Sequence, residues 1–487
     1  MQTIPASATE FLAEITSALG DPADLAVETP AGGRFIAVFL SSFAVKREIQ
    51  DNILTPLVEA VRIQPKADWE RILAALPGSG RREHHGMETV IGALLDGYTV
   101  LHQAGSRLCY SFDTHKEIQK PPAEPLIERT IRGPKLSLVE NLSDNLLLLR
   151  RTIKDPRLRL DGVRVGRRTR TRLAVLYLED VADPGVVAEV HRRLGRIDID
   201  GVVDSGYIEQ LITDNRWSLF PLIQSTERPD KVVAAVLEGR VAILVDGSAN
   251  AILVPVTVNE LYQSPEDYYF SFWFGVFLRA LRILGNNIAV ALPGLYIALV
   301  GVNPELLPIR FALTATGSRM GVALPILLEL LLMEIAVEIF REGSLRLPTT
   351  VSQTLGVTAG IVLGLAAVGA GLVSNATLVV VVVTAIASYS GPNYEIGLSW
   401  RILRFVLIFA GAALGLFGLT VAGIIILTHA AIQNSFGVGY LSPWSPLLPH
   451  GLIDTVLRRP VWMGRRLGVY HPSDRRRYAG RGGRGNE

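Results

Sequence analysis

Three carboxylates stand where an apolar sequence can hold them only at a cost. Glu329, Glu334 and Glu338 interrupt the run from Met320 to Phe340, which is long enough to cross a bilayer. Within lipid each charge costs several kcal/mol unless it is paired, protonated or in contact with water. At about 100° per residue, Glu334 and Glu338 share one helix face, Arg341 continues that face, and Glu329 lies about 140° from Glu334. Two main chemistries fit. One is an internal glutamate–arginine lock between helices; the other is the lining of a polar cavity or ion path. A third reading is a helix that does not span. A second group, Pro392, Asn393, Glu395 and Arg401, lies at the border of the next apolar run, where a turn or gate would sit. His429 ends the last run, where a lone histidine serves as a helix-end hydrogen bonder or a titrating group. His84 and His85 are adjacent and lack metal-ligand spacing. Cys109 stands in the strand-like RLCYSF with no base nearby, so it reads as a buried, inert thiol. No Walker loop, nucleophile elbow or zinc motif occurs, so the sequence points to no enzyme and requires no cofactor or metal.

The elements that must position these groups divide the chain in two. Of 487 residues, 49% are hydrophobic, and 48 basic side chains face 46 acidic ones. This near balance argues against nucleic acid as a partner. The charges are unevenly spread: 48 consecutive residues from Leu347 to Tyr394 carry none, nor do 49 from Phe405 to Ile453, whereas the first 282 carry charge throughout. A helix needs about 20 apolar residues to cross a bilayer. Five runs approach that requirement: Ile288–Val302, Met320–Phe340, Leu355–Val373, Ala376–Ser388 and Leu403–Ile432. Nine arginines beyond Ile453 against three acids put the tail in the cytoplasm. Met1 to Phe11 lacks a basic leader and an apolar core, which keeps the amino-terminal region there too. Two ends on one side require an even number of crossings. Either Phe405–Ile432 folds back as a hairpin around Gly415–Gly418, or a short run is re-entrant.

Ahead of these runs the chain reads as duplicated α/β structure. Phe35–Leu40 (FIAVFL) is a strand followed by a helix over Ala44–Ala60; Leu173–Leu178 (LAVLYL) is a strand followed by a helix over Pro184–Leu194. Hairpins are expected at Leu95-Asp96-Gly97 and Leu237-Glu238-Gly239, each followed by a second turn at Ala104-Gly105-Ser106 and Asp246-Gly247-Ser248. Pro121 to Pro125 reads as a linker, Pro134–Lys154 as a helix with an apolar stripe, and the eight aromatics of Tyr262–Arg282 as a helix at headgroup level. The expected architecture is an α/β cytoplasmic region of two similar subdomains fused to a C-terminal multi-span helical membrane domain. Its parts are a first subdomain (1–120), a linker and amphipathic helix (121–165), a second subdomain (166–262), an interfacial helix (263–284), a transmembrane domain (285–453) and a basic tail (454–487).

Several long stretches then carry a family resemblance: RGPKLSLVENLSDNLLLLRR (132–151), RRTRTRLAVLYLEDVA (167–182), STERPDKVVAAVLEGRVAILVDGS (225–248), QSPEDYY (263–269), EIFREGSLRLPTTVSQTLG (338–356), VTAIASYSGPNYEIG (383–397) and NSFGVGYLSPWSP (434–446). From about residue 90 to 450 the chain resembles the A subunits of GerA-type spore germinant receptors. The resemblance implies a multi-pass protein of the spore inner membrane that works with a transporter-like B subunit and a lipoprotein C subunit. It also implies a homo-oligomer that releases cations early in germination. On that view Glu329, Glu334, Glu338 and Arg341 become pore or coupling positions, and Glu140, Asn141, Arg150 and Arg151 mark a helix that assembles the oligomer. The alternative is a non-conducting scaffold or signalling subunit.

Overall fold

Residues 3–44, 46–63, 72, 76, 81–114, 124–347, 364–449, 451–460 and 468–474 are described by the computed structural model. Short strands, the central ones continuous apolar runs such as FIAVFL and VAILV, form two five-stranded antiparallel sheets of one design. In the first, α1 (Ala8–Leu19) precedes β1 (Leu25–Glu28) and β2 (Phe35–Leu40); α2 (Lys46–Ile49) runs through a wide turn into α3 (Thr55–Ile63); β3 (Arg82–His84), α4 (Met87–Leu95), β4 (Thr99–Gln103) and β5 (Cys109–Phe112) follow. In the second, α5 (Leu142–Thr152) precedes β6 (Leu158–Val165) and β7 (Thr171–Leu178); α6 (Pro184–Gly195), α7 (Ser205–Ile212), β8 (Gln224–Thr226), α8 (Pro229–Leu237), β9 (Val241–Val245) and β10 (Ala251–Val254) follow. The strand orders β1-β2-β4-β5-β3 and β6-β7-β9-β10-β8 are the same path drawn twice.

Three expectations change. Val90–Leu95 and Val232–Leu237 are helical rather than strands. The glycine after each is a helix stop: Gly97 and Gly239 have φ of 90° and 94°, the left-handed geometry that ends a helix at little cost to glycine. The true hairpins are the second turns, where Gly105 and Gly247 each have φ of 91°. The expected helix over Pro134–Lys154 begins only at Leu142, because Asn141 caps it by accepting from the N–H groups of Ser143 and Asp144. This helix and β6 pack into the second sheet, carrying that subdomain back to Leu142 from the expected boundary at 166. The single headgroup helix expected over 263–284 is divided, after α9 (Val258–Tyr262) has ended, between α10 (Glu266–Tyr269) and the start of α11 (Phe272–Tyr296). Part of the 355–373 run, the 121–123 part of the linker and most of the arginine tail lie outside the described residues.

In the C-terminal region, α11 continues as a wider helical turn to Val302, giving a mostly apolar stretch of 31 residues, and α12 (Ile309–Gly317), α13 (Ile326–Ser344) and α14 (Asn375–Ser388) follow. α15 (Tyr394–Ile432) has 39 residues. Two of these stretches, Phe272–Val302 and Tyr394–Ile432, are long and apolar enough to cross a membrane. The second is two arms, since Gly415 (φ 61°, ψ −143°) reverses the chain. A Cβ at Gly418 would lie 2.2 Å from the Ala410 carbonyl oxygen, although eight residues of straight helix span about 12 Å. Leu403 and Ala430 meet in one cluster with Phe220. The fold-back at Gly415–Gly418 is therefore present, and it returns the chain to the sheet-bearing side. Asn303, just after α11, fastens the tip by accepting at Oδ1 from the Leu416 N–H, 3.0 Å.

Candidate functional site

The carboxylates of α13 each meet an arginine of the same chain. Glu334 accepts from Arg404 Nη1 at 2.6 Å, and each side chain is 1% exposed. Glu338, one turn on, accepts from Arg401 Nη1 at 3.0 Å and lies 3.5 Å from Arg341 Nη1. Arg341 also donates to Ser388 Oγ at 2.7 Å and covers the Tyr389 ring. Glu329, on the other face as the 140° offset requires, accepts from Arg319 Nε at 3.3 Å and from the Ser374 N–H at 2.7 Å. Helix periodicity thus places Glu334 and Glu338 against the first arm of α15, and Glu329 against the cap of α14. Burying a pair this deeply contributes little net stability, but leaving either partner alone there costs about 3–5 kcal/mol. Glu334 Oε1 and Arg404 Nη2 have no hydrogen-bond partner among the described residues.

The Pro392–Arg401 group is divided in role. Asn393 caps α15 by accepting from the N–H groups of Glu395 and Ile396 at 3.0 and 3.1 Å, which makes the turn a helix start. Arg401 belongs to the Glu338 pair. In the 140–151 segment, Arg150 is 2% exposed and donates to Asp24 Oδ1 at 2.7 Å, while the Glu140 carbonyl accepts from the Gly247 N–H. Arg150 therefore ties the two subdomains of one chain together; Arg151 is exposed on the same helix. His429 stacks on Phe220. His84 shares a 2.9 Å hydrogen bond with Ser111. Burial pushes the Cys109 thiol up to about 12, so its nucleophilic thiolate is suppressed.

A second charged cluster escaped the sequence reading. Asp267, on α10, accepts from Arg279 Nε at 3.2 Å and from both terminal nitrogens of Arg282 at 3.0 and 3.1 Å. Arg279 Nη1 reaches Asp454 Oδ1 at 2.8 Å, and the Tyr268 hydroxyl donates to the other oxygen of Asp454 at 2.7 Å. Asp267 and Arg279 are fully buried. The available signal was two arginines three residues apart, one helix turn, entering an apolar run just after an acid. Alongside, Arg228 donates to the carbonyls of Glu128 and Pro134, to Thr130 Oγ1 and to Asp230, which also accepts from the Tyr269 hydroxyl at 2.7 Å. The Tyr269 ring lies so close to Gly133 that a Cβ there would be 2.4 Å away. The hairpin of β11 (Asn434–Ser435) and β12 (Val438–Gly439) adds the Ser435 hydroxyl, which donates to the Leu222 carbonyl at 2.7 Å and accepts from the Val256 N–H at 3.0 Å. The ERPDK, RGPK, QSPEDYY and NSFGVGY stretches thus converge on one joint between the second sheet and the apolar helices.

Comparison with known proteins matches residues 13–467 to the family described as Bacillus/Clostridium GerA spore germination protein. Spore germination protein A1 of Bacillus subtilis (strain 168) is 40% identical over 88% of this chain and 88% of its own. Spore germination protein GerLA of Bacillus cereus is 35% identical over 93% of each chain. Spore germination protein KA of Bacillus subtilis (strain 168) is 33% identical over 94% of this chain and 86% of its own. Among solved structures, the crystal structure of the N-terminal domain of the A subunit of the Bacillus megaterium spore germinant receptor GerK3 is similar with a TM-score of 0.41 and 28% identity, over 52% of this chain and 96% of that one. The chain belongs to the GerA family of spore germination proteins.

Proposed function

We propose that this chain is the A subunit of a nutrient germinant receptor seated in the spore inner membrane. Its sheets and arginine-rich tail lie on the cytoplasmic side, and it acts in several copies beside a transporter-like B subunit and a lipoprotein C subunit. The observation that supports a relay role best is the buried Glu334–Arg404 pair at 2.6 Å. Together with Glu338–Arg401 it locks α13 to the first arm of α15, whose start is anchored at the joint with the second sheet. Movement of the joint is then felt by the lock. The test is spores carrying Glu334→Arg, Arg404→Glu and the two together: each single change should abolish the nutrient response, and the exchange should restore part of it. An exchange no better than the singles would refute the lock.

A second reading, a cation-conducting oligomer, draws on Glu334 Oε1, a buried carboxylate oxygen with no hydrogen bond among the described residues. Water or a passing cation would satisfy such an oxygen. Potassium release from vesicles holding the crosslinked oligomer, reduced by Glu334→Gln, would favour this reading; no release at all would leave the relay alone.

A further inference from the structure

We infer that the loop following α7, residues 213–219, rests on the lipid headgroup layer with Trp217 as its anchor; the inference assumes the membrane reading above. The loop is clamped to the end of the last apolar arm. Asn215 Nδ2 donates to Gln433 Oε1 at 3.1 Å, Asp214 Oδ2 accepts from the Phe436 N–H at 2.9 Å, and Phe220 packs on Trp400 and His429. The loop backbone is itself set, because Asn215 Oδ1 accepts from the Trp217 N–H at 3.0 Å and the Ser218 hydroxyl accepts from the Phe220 N–H at 3.1 Å. Yet Trp217 is 92% exposed, with Leu219 and the adjacent Arg216 also exposed.

A rigid loop holding an indole outward needs something for the indole to meet. Gln433, bonded to Asn215 two residues before Trp217, caps an arm whose outer surface is bare and apolar: Ile432 is 70% exposed, and Ile424, Ile425 and Leu427 are exposed beside it. In the membrane reading that wall faces acyl chains, so its end marks the headgroup level, and the Asn215–Gln433 bond sets the loop at that level. Tryptophan is favoured there because its ring is apolar and its N–H finds polar partners, while an adjacent arginine meets lipid phosphate. The opposite end of the sheet is unsuited to lipid contact by position: β9 and β10 run from the membrane-side Val241 and Val254 to the turn at Asp246–Ser248, which points away.

The test uses the full chain with Cys109→Ala in phosphatidylcholine–phosphatidylglycerol vesicles and single cysteines carrying an environment-sensitive dye, at Trp217→Cys, Arg216→Cys, Val203→Cys and Ile425→Cys. Spin labels sit either on lipid headgroups or deep in the acyl chains. Dye at 217 and 216 should be quenched several-fold more by headgroup labels than by deep ones. Dye at 425 should show the reverse, and dye at Val203, exposed at the far end of the sheet, should be quenched by neither. Quenching at 425 without quenching at 216 or 217 overturns the loop's contact while the membrane reading stands. Shielding of 217 from a water-soluble quencher without lipid quenching means a protein covers it, and likewise overturns the inference. An unquenched 425 removes the membrane reading and this inference with it.

Discussion

The two sheets share a strand path and even the placement of their left-handed glycines, but their surroundings differ. Among the described residues, the first touches the rest of the chain through the Asp24–Arg150 pair, the exposed Lys154–Asp96 pair, the Ala23 N–H donating to the Leu160 carbonyl and the buried packing of Leu40 and Phe43 on Leu147. The second is wired into the apolar helices through Arg228, Phe220, Ser435 and the strand end at Val256. Among the described residues, one copy of the design is attached to its twin and the other is coupled by packing to the apolar helices. Position relative to the helices, rather than fold, separates the two copies.

The largest expected effect tests the coupling copy. Arg279→Ala leaves Asp267 and Asp454 buried without their shared cation and should destabilise the full chain by about 3–5 kcal/mol, seen as loss of monodisperse protein in detergent. A wild-type melting profile would break the contrast. Arg150→Ala should cost somewhat less, about 3 kcal/mol, because its single partner Asp24 keeps a hydrogen bond from the Ser42 hydroxyl at 2.6 Å. Limited proteolysis should then free the first sheet ahead of the second; simultaneous cleavage of both would argue that they are equally anchored. The third test is pH. Burial, then the charge of Asp204, pushes the Glu209 carboxyl on α7 of the second subdomain up to about 7 from 4.5. Because the folded state holds this proton more tightly than the unfolded one, the stability is full below about 4.5 and is lost as pH rises to about 7. Glu209→Gln should therefore raise the melting temperature at pH 8 and leave it nearly unchanged at pH 4; an equal shift at both would remove the titration argument. The smallest effect belongs to the exposed Arg167–Asp198 pair, where Arg167→Ala should leave the melting temperature unchanged within error.

Much of the soluble fold was legible because it is local. FIAVFL forms the strand Phe35–Leu40 at the expected bounds, and Pro184 opens its helix as a first-turn proline should. The helices at 87–95 and 229–237 were misread because valine, isoleucine and leucine fill both a strand and a buried helix, leaving only the following glycine to arbitrate. The fold-back at Gly415 was one of two options that an even number of crossings allowed, and backbone geometry chose it. Site residues divide in the same way. That Glu334 and Glu338 share a face followed from helix pitch; that Arg404 waits 70 residues away for Glu334, and Asp454 for Arg279, is long-range packing that no spacing reveals.

The fold-back at Gly415 also sets the order of manufacture. Because the chain returns, Asp454 can clasp Arg279, made 175 residues earlier. During synthesis the base of the first long apolar helix must wait, its Arg279 held by Asp267 alone, until nearly the whole polypeptide has left the ribosome. A message truncated between Val254 and Asp454 would yield a chain whose two five-stranded sheets are complete and whose anchor never closes.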